Sequence, residues 1–360
     1  MKLKIHFSIL LLLFASGGYL SAQKTVRVNA VKANDYGVIY TLPKTSVVVK
    51  LKVKQTTYQR GEFYQFSQRY LSLDPVLESK TEFALEDVMI VNRGVPDTDN
   101  SYMVTFKANA ISPFVSLTED GLIAAINTNA EIEAEPVFDL SVAENRKIDP
   151  TRYLTEETLR AGSTAKRAEL VSKQIFELRQ SRNDILTGEA DNMPPDGEAY
   201  KVVMEELNTQ EKALTEMFTG HSQTRYLTEE YVVIPENDAI NKMVIGRFST
   251  ALGAVEADNL AGAPVYLTLT PKAGNAQSAF MTPKELQQFE KKLTEGVVYN
   301  VPAKADVKVE FNNRVMKQQE IDVVQFGNKD VLTRRAIDNK RQPIQVIFYP
   351  HMGAIKQLKE

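Results

Sequence analysis

The chain has 360 residues, 43% of them hydrophobic, with 43 basic against 46 acidic side chains for a net charge of −3, and it lacks cysteine altogether. That composition excludes disulfides, thiolate metal sites and a lipid-modified cysteine, and its mild, mixed acidity argues against a nucleic-acid partner, which calls for clustered basic residues. There is no tryptophan to act as a sugar-stacking ring, although 14 tyrosines can stand in for it.

Lys2 and Lys4 precede an apolar run from Ile9 to Ala15, and Leu20-Ser21-Ala22 places small residues before Gln23. This three-part pattern predicts a cleavable secretory signal over residues 1–22. The apolar run is shorter than the about 20 residues that a membrane span requires. Loss of Lys2 and Lys4 leaves 41 basic residues against 46 acidic, a net charge of −5. The expected location is periplasmic or extracellular, not as a lipoprotein, with no transmembrane segment after cleavage.

From Gly37 the sequence is rich in β-formers. Val47, Val49, Leu51 and Val53 alternate with Lys50, Lys52 and Lys54, the pattern of a strand with one wet face. Pro43 is expected in a connection before that strand, because proline cannot donate to a ladder. A short helix is predicted over 62–70, carrying Phe63, Phe66 and Tyr70 at helical spacing. Strands follow at 83–91, 102–108 and 122–128, divided by the turn-rich Pro96-Asp97-Thr98-Asp99-Asn100 and Glu119-Asp120-Gly121.

Residues 164–220 read as two amphipathic helices. Ala168, Val171, Ile175, Leu178 and Ile185 mark one stripe, interrupted by Arg182. Tyr200, Val203, Leu207, Leu214 and Met217 mark the other, interrupted by Gln210. Gly188 suits a left-handed C-cap, and Pro194-Pro195 forbids continuation. Leu170, Phe176, Leu186, Val202 and Phe218 lie off the stripes, so the pair is expected to dock this surplus on the β-rich regions. Strands are predicted again at 231–234, 243–248, 265–270, 307–311, 320–324 and 345–349. A helix is predicted over 283–293 with Thr282 as N-cap, and the last ten residues read as a fraying tail.

Two internal echoes stand out. Gly37-Val38-Ile39-Tyr40-Thr41-Leu42-Pro43 parallels Gly296-Val297-Val298-Tyr299-Asn300-Val301-Pro302, followed after a one-residue slip by Val47/Val49/Leu51 and Val307/Val309/Phe311. The hexapeptide Arg-Tyr-Leu-Thr-Glu-Glu occurs at 152–157 and again at 225–230. Repeats bear on architecture before motifs do, yet the two spacings disagree, so no single tandem duplication explains both.

Further segments carry a family resemblance: Tyr40-Thr41-Leu42-Pro43-Lys44-Thr45, Glu177-Leu178-Arg179-Gln180-Ser181-Arg182, Asp191-Asn192-Met193-Pro194 with Asp196-Gly197-Glu198-Ala199, Gln210 to Thr215, Phe218-Thr219-Gly220 and Val301 to Ala305. Over most of its length the chain resembles domain of unknown function 4831, a family of exported Bacteroidetes proteins. The resemblance implies export and the β–helix pair–β order, and it carries no catalytic residue.

Among candidate sites, His221 and His351 are the histidines after residue 22, too few for a three- or four-ligand zinc site. No nucleophile elbow or glycine-rich phosphate loop is present. With Gly197 at the sixth position of a calcium loop, Pro194 and Val203 fall where ligands belong, so that match fails. Asp97, Asp99 and Asn100 offer oxygens to an ion but equally make an acidic surface turn. The Glu156/Glu157, Glu205/Glu206 and Glu229/Glu230 pairs point in different directions and are not acid/base couples. Phe63, Tyr64, Phe66 and Tyr70 read as a core stripe in preference to a ligand groove.

The fold class is therefore α+β: two β-rich, mainly antiparallel domains at 23–150 and 224–360, with an antiparallel helical hairpin and flanking segments (151–223) between them. The expected function is that of a non-enzymatic exported binding or envelope-assembly protein, with a protein or glycan partner and self-association through the hairpin as one reading. The alternative is a carboxylate-dependent hydrolase acting on an envelope or dietary polymer. No catalytic, cofactor-binding or metal residue is assigned.

Overall fold

A computed structural model describes residues 37–105, 115–141, 148–194, 197–272, 282–284, 287–288, 296–333 and 344–359. The expected signal over 1–22 and most of the expected helix over 283–293 lie outside the described residues.

In chain order come strand β1 (Gly37–Gln59), a 3-10 turn (Tyr64–Phe66), helix α1 (Ser67–Leu71), and strands β2 (Lys80–Thr105), β3 (Val115–Leu117) and β4 (Ile123–Ile126). A second 3-10 turn (Pro150–Tyr153) leads to helices α2 (Glu156–Arg160), α3 (Thr164–Thr187) and α4 (Glu198–Thr219). Strands β5 (His221–Val233), β6 (Ile240–Ser249), β7 (Gly253–Val255), β8 (Ala263–Pro271), β9 (Gly296–Phe311), β10 (Arg314–Thr333), β11 (Gln345–Tyr349) and β12 (Ala354–Lys359) follow. They form three sheets ordered β2-β1-β5, β10-β9-β8-β6-β7 and β12-β11-β4-β3, and neighbouring strands in each are antiparallel.

The largest core follows from period-two alternation. Val47, Val49, Leu51 and Val53 of β1 face Val265, Leu267 and Leu269 of β8 and Ala303, Ala305, Val307 and Val309 of β9, all almost fully buried. Two sheets thus bury their apolar faces against each other. Lys50 has the opposite parity and points to the outer face, yet it is only 3% exposed. The stretch after β4 covers it: Lys50 Nζ reaches Glu135 at 2.6 Å and the Pro136 carbonyl at 3.0 Å, and Lys52 reaches the Asp139 carbonyl at 2.8 Å. A second core joins Tyr40 and Leu42 of β1, Val297 and Val298 of β9, Ile123 and Ile126 of β4, and Val346 and Phe348 of β11.

The strand pairing does not follow the expected division into 23–150 and 224–360. β5, directly after α4, pairs along β1 from Val47 to Gln59, and β11 pairs with β4. Both large cores therefore mix residues from the two sides of the helices. The tail is also a correction: Ala354–Lys359 is strand β12, reversed onto β11 through a turn in which Gly353 N–H donates to the Tyr349 carbonyl at 2.7 Å. Pro43 sits inside β1, not in a connection before it. It is tolerated because, among the described residues, β5 pairs with β1 from Val47 onward and not at Pro43, where the β1–β2 register also breaks.

Helix α3 opens on Ser163, whose side chain accepts from Lys166 N–H, and closes on Gly188 at φ 78°, a left-handed cap. Arg182, the polar break in its stripe, is paired with Glu211 of α4, and Arg179 meets the same carboxylate at 2.6 Å. Ala168, Val171 and Ile175 pack with Leu214, Met217 and Phe218 of α4 and with Phe63 and Leu71. Of the off-stripe residues Phe218 docks as expected, its ring 5.3 Å from that of Phe63. Phe176, Leu186 and Val202 stay exposed, because the β1–β2 connection is met by Arg167, Ala168, Val171 and Ile175 of α3 and by the α4 C-terminal end, where Phe63 N–H donates to Met217 O at 2.7 Å and Val76 N–H to Thr219 O at 2.8 Å. Among the described residues, no helix is long and apolar enough to cross a membrane.

Candidate functional site

The two long strand pairs, β1–β2 and β9–β10, carry the same irregularity. In the first, Thr41 pairs with Ser101 and Pro43 with Pro96, so Asp97, Thr98, Asp99 and Asn100 stand out of the ladder. In the second, Val301 pairs with Asn328 and Ala303 with Val323, so Val324, Gln325, Phe326 and Gly327 stand out. Each is an enlarged bulge, a device that re-aims side chains. The Asp97–Asn100 stretch, read from sequence as a surface turn, is one of them. The β10 bulge had no signal beyond Gly327, whose backbone approaches Val301 O and Pro302 Cα so closely that a Cβ would lie 2.8 Å from the latter.

The bulges meet around a cleft of about 490 Å³. Its floor is fixed by polar ties. Thr45 N–H donates to Gln325 Oε1 at 3.0 Å, Gln325 Nε2 donates to the Thr45 and Pro235 carbonyls at 2.8 and 3.0 Å, and Val324 N–H donates to Thr45 Oγ1 at 2.9 Å. Asn300 Nδ2 donates to the carbonyls of Pro43 (3.2 Å) and Met352 (2.8 Å).

On one wall lies a charged chain. Asp97, 6% exposed, receives Lys44 Nζ at 3.0 Å on Oδ1, Asn100 Nδ2 at 2.5 Å on Oδ2, and the Asp99 N–H at 3.3 Å. Lys329 Nζ donates to Asn100 Oδ1, which also accepts from the Tyr102 hydroxyl at 3.3 Å. Burial pushes the Asp97 carboxyl up, but the hydrogen bonds from Asn100 and Lys44 and the Lys44 charge outweigh it, so it sits below its ordinary value. The hydrogen bond to Asp97 holds Lys44 above its ordinary value. Lys329 is moved the other way: burial depresses it, Asp97 opposes the shift, and Lys44 adds to it. Burial and the Asp97 charge raise the Tyr102 hydroxyl, which stays a donor. A carboxylate so fully solvated by protein donors is a poor proton source; the arrangement is suited to holding a ligand.

A second cavity, about 400 Å³, opens where α4 meets β5. His221 Nδ1 lies 3.2 Å from Glu216 Oε2, and its Nε2 is buried without a partner among the described residues. The other carboxylates there are engaged: Glu62 with Arg167 at 2.6 Å, Asp149 with Thr151 N–H at 3.0 Å. His351 lies elsewhere, its ring 5.8 Å from Tyr349 in the β11–β12 turn. Of the glutamate pairs, Glu156 and Glu157 open α2, while Glu230 joins Lys50 and Arg93 on the outer face of β1. Phe63 is core, and Phe66 stacks on Tyr70 at 6.0 Å. Among the described residues, no group of three or more His, Asp or Glu side chains is placed to hold a metal ion.

Residues 36–356 match the family model described as a domain of unknown function, DUF4831. No curated protein and no solved structure matches the chain.

Proposed function

We propose that this chain, which belongs to the DUF4831 family, is an exported, non-enzymatic binding protein of the cell envelope, with the cleft between the two bulges as its ligand site. The observation that carries this reading is the Lys44–Asp97–Asn100–Lys329 chain, which joins the β2 bulge to β1 and β10 and is open to a cleft. Buried ionic groups add little net stability, since apolar replacements of similar volume are often as good, and perturbed groups in clefts concentrate at functional sites. Export is supported by the Lys2/Lys4, Ile9–Ala15 and Leu20-Ser21-Ala22 pattern. The equal bulges and the shared Gly-Val-(Ile/Val)-Tyr starts support reading β1–β2 and β9–β10 as two copies of one hairpin. The hydrolase reading needs a proton donor, and Asp97, the buried carboxylate of the cleft, is held below its ordinary value by its donors and makes a poor acid.

Saturation-transfer NMR on the full chain against a mixed library of soluble oligosaccharides, amino acids and short peptides tests the site. The wild type is expected to give binders, and Asn328→Trp, which fills the cleft, is expected to lose them. Binding that survives Asn328→Trp, or a library without binders, would sink the assignment.

A further inference from the structure

We infer, building on that reading of the cleft, that its ligand is an acidic sugar whose carboxylate pairs with Lys329 and whose hydroxyls meet the amides of Asn237 and Asn328. The charge argument comes first. Lys44 and Asp97 neutralise each other directly at 3.0 Å, whereas the direct partner of Lys329 is the neutral Asn100 amide. Among the described residues, no carboxylate lies within ion-pair distance of Lys329. Lys44 and Lys329 are matched overall by the buried Asp97 and the exposed Asp99, but neither carboxylate pairs directly with Lys329, and a ligand carboxylate supplies the ionic partner that it lacks. A phosphate dianion would bring twice the charge of a carboxylate towards Asp97 and the exposed Asp99. Half-buried beside another ammonium, Lys329 gains more from an anion than a solvated lysine would.

The amides supply the rest. Gln325 and Asn300 are committed to backbone partners and serve as scaffold. Asn237 and Asn328 also line the cleft, and neither side chain hydrogen-bonds another described residue. Each amide offers both donors and an acceptor, the complement of a hydroxyl, which also donates and accepts. Leu42 and Pro43 add an apolar patch for the C–H face of a ring.

Titration calorimetry of the full chain with glucuronate, galacturonate, glucose, acetylglycine and inorganic phosphate decides the matter. A uronate is expected to bind at least about tenfold more tightly than glucose, acetylglycine or phosphate, a gap of about 1.4 kcal/mol. Lys329→Gln is expected to remove that advantage while leaving glucose unchanged, and Asn328→Ala to weaken uronate and glucose alike; thermal unfolding confirms that both variants fold. Equal binding of glucose and uronate, or of acetylglycine or phosphate and uronate, would overturn the inference. Silence of both uronates beside other binders in the library overturns it and spares the cleft; silence of every probe removes both.

Discussion

The Tyr40 hydroxyl and the Val298 backbone exchange two hydrogen bonds: the phenol donates to Val298 O at 3.0 Å and accepts from Val298 N at 2.8 Å. This contact, between residues 258 apart in sequence, joins the starts of β1 and β9 inside the second core. It ties together the two echoing Gly-Val-(Ile/Val)-Tyr segments.

Tyr40→Phe keeps the ring but leaves both Val298 backbone groups buried without that partner. The expected loss is about 1–3 kcal/mol, read as a lower midpoint in denaturant unfolding. Tyr299, half-buried with its hydroxyl on Asp330, provides the contrast: Tyr299→Phe is expected to shift the midpoint far less.

Glu135 fastens the stretch after β4 to the outer face of β1. The Arg93 guanidinium, opposed by partial burial and aided by Lys50, brings its carboxyl from 4.5 down to about 2. A carboxyl depressed in the folded state stabilises fully above its ordinary value, and that contribution is lost as pH falls through the folded value. Wild-type stability is therefore expected to fall between about pH 4.5 and pH 2, and Glu135→Gln to flatten that segment of the curve. An unchanged slope in Glu135→Gln would show that the stretch is held by its backbone contacts alone.

Gly327→Ala places a methyl group against Val301 O and the Pro302 and Ala303 backbone. Backbone cannot yield as a flexible side chain does, so a cost of about 1–3 kcal/mol is expected, with distortion of the β10 bulge. The check is hydrogen exchange: faster exchange of Val324 N–H, whose acceptor is Thr45 Oγ1, and unchanged exchange in α3 and α4.

The helix pair separates buried from surplus apolar residues. Leu214 is fully buried, so Leu214→Ala is expected to cost about 2–5 kcal/mol. Phe176 is 51% exposed, and Phe176→Ser is expected to stay within about 0.5 kcal/mol. Thermal unfolding of both variants measures the contrast; a large loss from Phe176→Ser would mean that this face is covered in solution.

The candidate site was half legible in the sequence. Asp97, Asp99 and Asn100 drew notice as possible oxygen ligands, but nothing local said that Asp97 would be buried under Lys44. Lys329, Asn328 and Asn237 gave no signal, because they matter only once the β10 bulge is set against the β2 bulge. A strand reads as a strand whether its ladder is regular or skips four residues; the skip is fixed by what the partner strand offers.

What the sequence by itself determined was local: the alternation at Val47, Val49, Leu51 and Val53, and the end of α3 at Gly188, follow from side-chain period and capping chemistry. What only the tertiary structure decided is clearest in the repeated hexapeptide. At 152–157 it leaves a 3-10 turn and starts α2, where the Thr155 side chain accepts from Thr158 N–H and Glu156 and Glu157 occupy the favourable first turn. At 225–230 the same six residues form part of β5, with Arg225 opposite Gln55 and Glu230 opposite Lys50. Their propensities are identical, so propensity cannot choose. At 225–230 the free edge of β1 satisfies the backbone hydrogen bonds, and Lys50 and Arg93 accept the Glu230 charge at 3.3 and 3.1 Å. The copy at 152–157 makes no ladder, so its backbone turns on itself.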